Sequence, residues 1–479
     1  MCGIAGIVNI NNSKIDPGLV SNLSRSLEHR GPDNSSIHFI SDSIALIHTR
    51  LSIIDLNYRS NQPFSSKDNR YFIVFNGEIY NYREIRKDLE GEGVNFITEG
   101  DTEVLLEGFI HYGSDILRRL RGQFAFAVYD SNEGSFFLAR DRIGIKPLYF
   151  AKYNEWFIFG SEMKSIEQSK IIPFSPDLDS YITYLRHLAV PKDRTGNSNI
   201  SKLEPGEYIE FSSEGEITKN RYWDPFNFKI NNDITKQEAI DTVGTLLEDA
   251  VSYRKVSDVE VGLFLSGGID SSLIGKLMKE NEESGLKGFN IDYQDHFQGY
   301  EGEVEEATFA SSTLGFDLIK EQIQYSDFQD LIENYSFYQD DLIGDEVGIP
   351  LYFLGKMTRE NDIKVVQVGE GADELFYGYD HWLRFMKLNK FLRPIVSERS
   401  ELFKMKNHRL NLVSNILFNR TSFAGGALGF NLNELDHLID GGIPKESELV
   451  YYVDNKWDDY FQSKDAKLSK WMTLIDLQI

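Results

Sequence analysis

The sequence predicts two domains of different class: an α+β sandwich first, then an α/β domain built on a parallel sheet. Three observations carry this. At 479 residues the chain exceeds one ordinary core. Its first part is dense in short apolar and aromatic runs closed by polar turn residues. From Lys236 onward the texture becomes an alternation of helical and strand patterns. With 41% hydrophobic and 13% aromatic residues, both cores can be filled.

In chain order, Gly3–Val8 reads as the first strand, and Leu19, Leu23 and Leu27 mark a helix by their spacing. Tyr71-Phe-Ile-Val-Phe75 and Gln123-Phe-Ala-Phe-Ala-Val-Tyr129 are strands of β-branched and aromatic character, and helical spacing returns around Val104–Ile110. Asp130-Ser-Asn-Glu-Gly134 followed by Phe136-Phe-Leu-Ala139 signals a hairpin. A segment rich in turn residues runs from Lys192 through Pro205-Gly206 to Trp223-Asp224-Pro225. The expected division is a first domain at 1–205, a linker at 206–235 and a second domain at 236–479.

In the second domain, Ile240, Val243, Leu246, Leu247, Ala250 and Val251 form one apolar stripe of a helix. Val259–Leu265 is a buried strand, Ser271–Glu280 a helix, Gly288–Tyr293 a strand, Glu303–Leu314 a helix and Lys364–Val368 a strand. Such alternation implies parallel strands with ligands at their carboxyl ends. Beyond Tyr379 the pattern is mainly helical.

Composition narrows the function classes. Lys plus Arg number 50 against 75 Asp plus Glu, a net charge of −25, which disfavours nucleic acid and anionic membranes as partners. A single cysteine excludes an intrachain disulfide framework and a Cys-clustered metal site. No apolar run approaches the ~18 residues that span a bilayer. The start, Met1-Cys-Gly-Ile-Ala-Gly6, lacks the basic flank and apolar stretch of a secretory signal. A cytoplasmic location is expected.

Two loops carry chemistry. Ser266-Gly-Gly-Ile-Asp-Ser-Ser272 joins a strand to a helix, where glycines admit an anion and the helix start and hydroxyls donate to it. Without a Walker lysine, and with Asp270 instead, it suits a pyrophosphate partly neutralised by Mg²⁺. The plainer alternative is a tight turn with Asp270 and Ser271 as caps. Gly369-Glu-Gly-Ala-Asp-Glu-Leu-Phe376 again follows a strand and brings three carboxylates, a cation or catalytic site, or simply an acidic helix start.

Cys2 would become the first residue once Met1 is removed, uniting a thiol nucleophile with a free α-amine whose ordinary pKa is about 7.7–8.0. The alternative is a buried cysteine opening a strand. Its companions favour chemistry. Arg50-Leu-Ser-Ile-Ile54 offers a guanidinium for a carboxylate, Asn76-Gly77 an amide and an N–H for an oxyanion, and Asp101 a carboxylate for an ammonium. Each alone also reads as an ion pair, a turn or a helix cap.

These motifs together resemble the asparagine synthetase (glutamine-hydrolysing) family, a class II glutamine amidotransferase of the α+β N-terminal-nucleophile (Ntn) hydrolase type joined to an α/β PP-loop ATP pyrophosphatase-type domain. Also matching are His29-Arg-Gly-Pro-Asp33, Asn76–Asn81, Gly100–Glu103, Asp141-Arg-Ile-Gly-Ile-Lys-Pro-Leu-Tyr149 and Phe159-Gly-Ser-Glu-Met-Lys-Ser165. The resemblance implies Cys2 as nucleophile, with Asn76 and Gly77 as the oxyanion hole. It implies glutamine binding by Arg50, Leu51, Ser52, Ile53, Ile54, Asn76, Gly77, Glu78 and Asp101. For ATP it implies Leu265, Ser266, Gly267, Gly268, Asp270, Ser271, Ser272, Ile291, Val368 and Gly369. Glu370 would serve acyl-adenylate formation, and Asp270 and Asp373 would approach Mg²⁺ on the pyrophosphate. The implied reaction passes ammonia from glutamine to an adenylated carboxylic acid, by default aspartate.

Two departures qualify the resemblance. Asp340-Asp-Leu-Ile-Gly-Asp-Glu-Val-Gly-Ile-Pro350 is unlike the E-T-Y-D-x-T-T-I-R of asparagine synthetases and closer to the D-E-P-x-G-D-x-S-x-I-P of surface-polysaccharide and secondary-metabolite paralogues, which points to a sugar uronate or another acid. Family members also continue beyond the position of Asp476–Ile479 with segments that complete the synthetase site. The expectation is therefore a truncated chain, a complementing carboxy-terminal polypeptide, or a chain competent only as a glutaminase or binding subunit. A homodimer is the other partner expected. A tRNA-modifying pyrophosphatase conflicts with the charge of −25.

Overall fold

The computed structural model describes residues 1–228, 231, 233–280, 285–293, 303–344, 347–392, 429–440, 442–444, 446–461 and 471–473. They divide into two compact units, one of Met1–Pro173, Asn199–Asp340 and Val347–Gly369, the other of Phe174–Ser198, Asp341–Glu346 and Glu370–Ile479.

The first unit contains the α+β sandwich. Its strands are β1 (Gly3–Asn9), β2 (Asn34–Ser41), β3 (Ile44–Arg50), β4 (Phe64–Ser65), β5 (Tyr71–Ile79), β6 (Gly122–Asp130), β7 (Ser135–Arg140), β8 (Tyr149–Tyr153), β9 (Trp156–Gly160), β10 (Ser201–Lys202), β11 (Glu207–Phe211) and β12 (Ile217–Arg221). They form two six-stranded antiparallel sheets, ordered β10-β8-β9-β1-β3-β2 and β12-β11-β7-β6-β5-β4. Alternation decides the layers. One face of each sheet meets the other in a core of Ile4, Leu46, Val74, Ala127, Leu138, Phe157 and Phe159. Helices cover the outer faces. α1 (Pro17–Ser26) packs Val20 and Leu23 on the first sheet with Ile166 of α5 (Met163–Glu167). α2 (Tyr82–Gly91), α3 (Asp101–Tyr112) and α4 (Ile116–Arg119) pack Ile85, Leu89, Leu105 and Leu117 on the second. Each fully buried Phe, such as Phe124 or Phe126, stabilises the fold by roughly 1.5–3 kcal/mol.

The predicted hairpin is present, with Gly134 at φ 65° turning β6 into β7. β11 and β12 lie within 206–235, the stretch read as linker, yet they pair into the second sheet. Gly206, which helped mark that stretch as connecting chain, takes φ 72° at the entry to β11, and Gly215 at φ 83° makes the turn into β12.

The same unit carries the parallel sheet, of β13 (Val261–Phe264), β14 (Lys287–Tyr293), β15 (Asp317–Ile323) and β16 (Val365–Gln367), ordered β15-β14-β13-β16. All three strand pairs are parallel. α7 (Lys236–Tyr253), α8 (Ile269–Lys279) and α9 (Glu303–Leu314) cover one face through Val251, Met278, Ala307 and Ala310. α10 (Tyr325–Tyr338) and α11 (Gly348–Glu360) cover the other through Leu331, Phe353 and Met357. The apolar stripe of α7 is only partly buried: Val251 is 3% exposed, but Ile240, Val243 and Leu246 face solvent among the described residues.

The second unit holds α6 (Leu178–His187), α12 (Ala372–Phe376), α13 (Asp380–Leu392), α14 (Leu432–Leu438) and α15 (Tyr452–Phe461). Ile182, Leu435 and Val450 form a small core there, and Arg186 pairs with Asp454 at 2.8 Å. Residues 393–428 and 474–479, part of the stretch read as mainly helical, lie outside the described residues. No helix among the described residues is long and apolar enough to cross a membrane.

Candidate active site

β1 starts one residue after Cys2, and its antiparallel register with β3 sets Gly3 opposite Thr49. The pairing therefore delivers Cys2 to the end of β3, where Arg50 is the last strand residue before the next loop. The Leu51 N–H donates to Cys2 Sγ at 3.4 Å. The thiol is half-buried, and loss of solvent raises its pKa, opposed by the Met1 amine, the Leu51 backbone and the Arg50 and Lys146 cations. Burial brings the Met1 amine down to about 5, helped by the charges of Arg30 and Lys146. The Met1 amine is thus neutral near pH 7.

β5 supplies the second wall, joined to β3 by His48, whose ring Nε2 lies 3.3 Å from the Phe75 carbonyl. Next along β5 is Asn76, 1% exposed, with neither side-chain polar atom hydrogen-bonded. A buried amide without partners carries a desolvation cost of about 1–3 kcal/mol per unsatisfied group, so a ligand that fills it is favoured. Gly77 follows because a Cβ there would lie 2.1 Å from the Gln123 carbonyl oxygen. Burial, then the charge of Asp101, pushes the Glu78 carboxyl up. Asp101 opens α3 and accepts from the Ile79 N–H at 3.0 Å; burial moves it up to about 6.

Arg50 is committed locally. Its Nη1 donates to the Asn57 carbonyl at 3.0 Å and to Asn61 Oδ1 at 2.6 Å, and its Nη2 to the Ile54 and Asp55 carbonyls. The guanidinium thereby shapes the 51–61 loop, leaving Nε as its remaining donor. Ser52 N donates to Asp33 at 2.7 Å, Asp258 N donates to the Ile53 carbonyl at 2.9 Å, and Ile54 is buried.

A polar network that the sequence reading did not assign runs behind Cys2. Arg30 Nε donates to the Cys2 carbonyl at 2.9 Å and Nη1 to Glu162 at 2.7 Å. His29 and Lys164 also meet Glu162, at 3.0 and 2.7 Å. Burial would raise Glu162, but these three partners bring it down to about 2. Lys164 and Met163 then donate their backbone N–H groups to Asp340, the first residue of the stretch read as acceptor-binding. Asp340 is pushed up to about 6 by burial, against the pull of Lys164. Asp345 and Glu346 of that stretch lie outside the described residues. The signal was present: His29, Arg30, Glu162 and Lys164 all fall in motifs that the resemblance picked out.

The glycine-rich loop leaves β13 and opens α8. Gly267 has φ 85°, and a Cβ there would lie 2.4 Å from Ala307 N, so only glycine lets the loop pass α9. Ser266 and Ser271 share a hydrogen bond at 2.9 Å, and the Ser272 hydroxyl is buried without a partner. The first-turn N–H groups of α8 have no acceptor within the helix. Leu265 is buried, with its carbonyl held by Asn290 at 2.9 Å, and Ile291 lies in the core of β14. Val368 and Gly369 follow β16; a Cβ on Gly369 would sit 3.3 Å from both Asp270 Cβ and Ser271 N. Leu265–Ser272 and Gly369 therefore converge at the carboxyl ends of adjacent parallel strands.

Glu370 and Asp373 belong to the second unit, Glu370 beside Gly371 at φ 86° and Asp373 in the first turn of α12. Among the described residues no group of three or more His, Cys, Asp or Glu forms a metal cage. Magnesium would fit only as a companion of nucleotide phosphates, with exposed Asp270 as the protein oxygen donor in the first unit.

Residues 1–223 match the glutamine amidotransferase domain family, and residues 242–473 match the asparagine synthase family. The glutamine-hydrolysing asparagine synthetase 1 of Bacillus subtilis is 36% identical over 398 residues, which are 82% of this chain and 61% of that protein. The putative glutamine-hydrolysing asparagine synthetase 2 of Methanocaldococcus jannaschii is 34% identical over 430 residues, 83% of this chain and 80% of that protein. An amidase of Penicillium rubens is 31% identical over 385 residues, 76% of this chain and 55% of that protein. The chain thus spans less than two thirds of the Bacillus and Penicillium relatives.

Proposed function

Since this chain belongs to the asparagine synthetase (glutamine-hydrolysing) family, we propose that it transfers the amide nitrogen of glutamine to an ATP-activated carboxylic acid. The orphaned, buried amide of Asn76 is the observation that carries the first half of this reading. With Met1 removed, the α-amine of Cys2 takes the thiol proton while the sulfur attacks the glutamine carboxamide carbon. Negative charge gathers on the carboxamide oxygen, where Asn76 Nδ2 and the Gly77 N–H donate to it. Ammonia leaves, and water cleaves the thioester to give glutamate. Asp101, ionised above about pH 6, meets the glutamine ammonium.

For the second half, the Ser266–Ser272 loop holds the ATP phosphates while the acceptor carboxylate attacks the α-phosphorus and expels pyrophosphate. Magnesium, when bound with ATP, offsets phosphate charge. Ammonia then displaces AMP from the acyl-adenylate. Aspartate is the default acceptor, giving asparagine. A uronate or another acid is the second reading, supported by the Asp340–Pro350 sequence and by the likeness to an amidase.

The test supplies glutamine, ATP and magnesium with aspartate or glucuronate. Glutamate, AMP, pyrophosphate and one amide product should rise together. ADP and phosphate in their place would overturn the adenylate chemistry. Cys2→Ala should lose glutamine use and keep ammonia-dependent synthesis.

A further inference from the structure

The loop proposed to bind glutamine is held from outside the sandwich as well as from within it. Arg50 anchors it from within, through the Ile54, Asp55 and Asn57 carbonyls. A guanidinium only donates, so the N–H groups of the loop need other acceptors. The Asp55 N–H donates to Asp258 Oδ2 at 2.7 Å, and the Asp258 N–H donates to the Ile53 carbonyl at 2.9 Å. The Ser52 N–H donates to Asp33 Oδ2 at 2.7 Å, and Lys364 Nζ donates to the same oxygen at 2.7 Å. Asp258 stands just before β13 and Lys364 just before β16, strands that pair with each other in the parallel sheet.

The point they hold is a strained one. Asp55 has φ 45°, a left-handed conformation that residues with a Cβ rarely adopt. Such a conformation persists where its surroundings over-determine it. Asp55 is buried, and every part of it is engaged. Its carboxylate accepts from Ser60 Oγ at 2.6 Å and from the Glu99 N–H at 2.9 Å, its carbonyl accepts from Arg50, and its N–H donates to Asp258. Asp258 alone among these partners lies outside the sandwich.

Asp258 is itself presented by a built turn. Ser257 Oγ donates to the Val259 carbonyl at 2.9 Å and accepts from the Val259 N–H at 3.1 Å. The chain leading to that turn rests on the sandwich. The Tyr253 hydroxyl donates to Glu84 at 2.5 Å, the Arg254 guanidinium lies 5.5 Å from the centre of the Tyr80 ring, and Val256 packs against the core that holds Ile85 and Leu89.

We propose that Asp258 and Lys364 are positioning residues of the glutamine site: from the parallel-sheet half they set the Ser52–Asp55 backbone in the form that receives glutamine. They act through the loop, so their loss weakens glutamine binding and leaves the chemistry at Cys2 in place. The inference rests on the reading of Arg50–Ile54 as glutamine-binding.

Glutamine hydrolysis gives KM and kcat for wild type, Asp258→Ala, Asp258→Asn and Lys364→Met, and hydrogen–deuterium exchange of peptides covering residues 52–57 is read on the same preparations. Asp258→Ala should raise KM about tenfold, the low end for a hydrogen bond to a charged group, with kcat within about threefold of wild type. Asp258→Asn keeps an acceptor oxygen in place, and its KM should stay within about threefold of wild type. Lys364→Met removes a partly exposed ion pair and should raise KM by about twofold to threefold. Exchange over 52–57 should be slow in wild type and about tenfold faster in Asp258→Ala. Fast exchange there in wild type overturns the proposal even if Asp258→Ala does not fold. So does an unmoved KM in folded Asp258→Ala, or an asparagine variant as impaired as the alanine one. If wild type hydrolyses no glutamine, the glutaminase reading fails, while the exchange rates still judge the clamp.

Discussion

Arg30 Nε lies 2.9 Å from the carbonyl oxygen of Cys2, so a buried guanidinium fixes the peptide that carries the proposed nucleophile. The guanidinium is fixed in turn by Glu162, and both side chains are less than a tenth exposed. A nucleophile at a chain terminus has covalent restraint on one side only. The hydrogen bond from Arg30 supplies restraint that the missing chain does not.

Glu162→Gln should therefore loosen the site and the fold together. Loss of one charge in a buried pair leaves Arg30 and Lys164 under-compensated, for a cost of about 1.5–3 kcal/mol from hydrogen bonds to a charged group. The sign with pH follows from the Glu162 carboxyl, held down at about 2 against an ordinary 4.5. Its stabilisation is complete above about pH 4.5 and is lost as pH falls toward 2. Urea titrations of both proteins should show the widest gap at pH 7 and a gap closing with acid. A gap independent of pH would mean that the charge of Glu162 contributes nothing.

Asn76→Ala should separate stability from catalysis. Both polar atoms of the Asn76 side chain are buried and unpartnered, so truncation removes a desolvated amide and breaks no hydrogen bond. The melting temperature should hold or rise. Glutamine hydrolysis should fall by about 10²–10³ in kcat, the usual loss for one oxyanion donor. A large drop in melting temperature with kcat unchanged would assign the residue to the fold instead.

Much of this was legible in the sequence, for a physical reason. Gly267, Asp270 and Ser271 lie within one strand–loop–helix unit, so their placement follows from local order and from the conformations that glycine allows. Asn76, Asp101 and Lys146 all fall within motifs. The contact of the Lys146 ammonium with Met1 was not legible, because tertiary folding brings together residues 145 positions apart. Asp340 docks on the start of α5 across 176 positions, and no spacing rule predicts such a contact. The apolar stripe of α7 shows the converse limit. Helical periodicity marked a face, but only its far end, Leu247 and Val251, packs on the core, because what covers a face is decided elsewhere in the chain.

Gly267→Ala should damage the nucleotide site through shape alone. The residue has φ 85°, and its added Cβ would stand 2.4 Å from Ala307 N and 2.6 Å from Glu306 Cβ. The backbone nitrogen of α9 cannot yield as a flexible side-chain tip would, so the loop must move. Positive φ adds strain of about 1–2 kcal/mol for a residue with a Cβ. Since the loop is where phosphate oxygens would approach the α8 start, its displacement should abolish ATP–pyrophosphate exchange. Glutamine hydrolysis depends on residues of the antiparallel sandwich and should stay within about threefold of wild type, given sites with no shared partners. Measuring both activities on one preparation checks the division of labour. Retention of exchange would show that phosphates do not sit on this loop, and joint loss of both activities would show that the loop supports the sandwich as well.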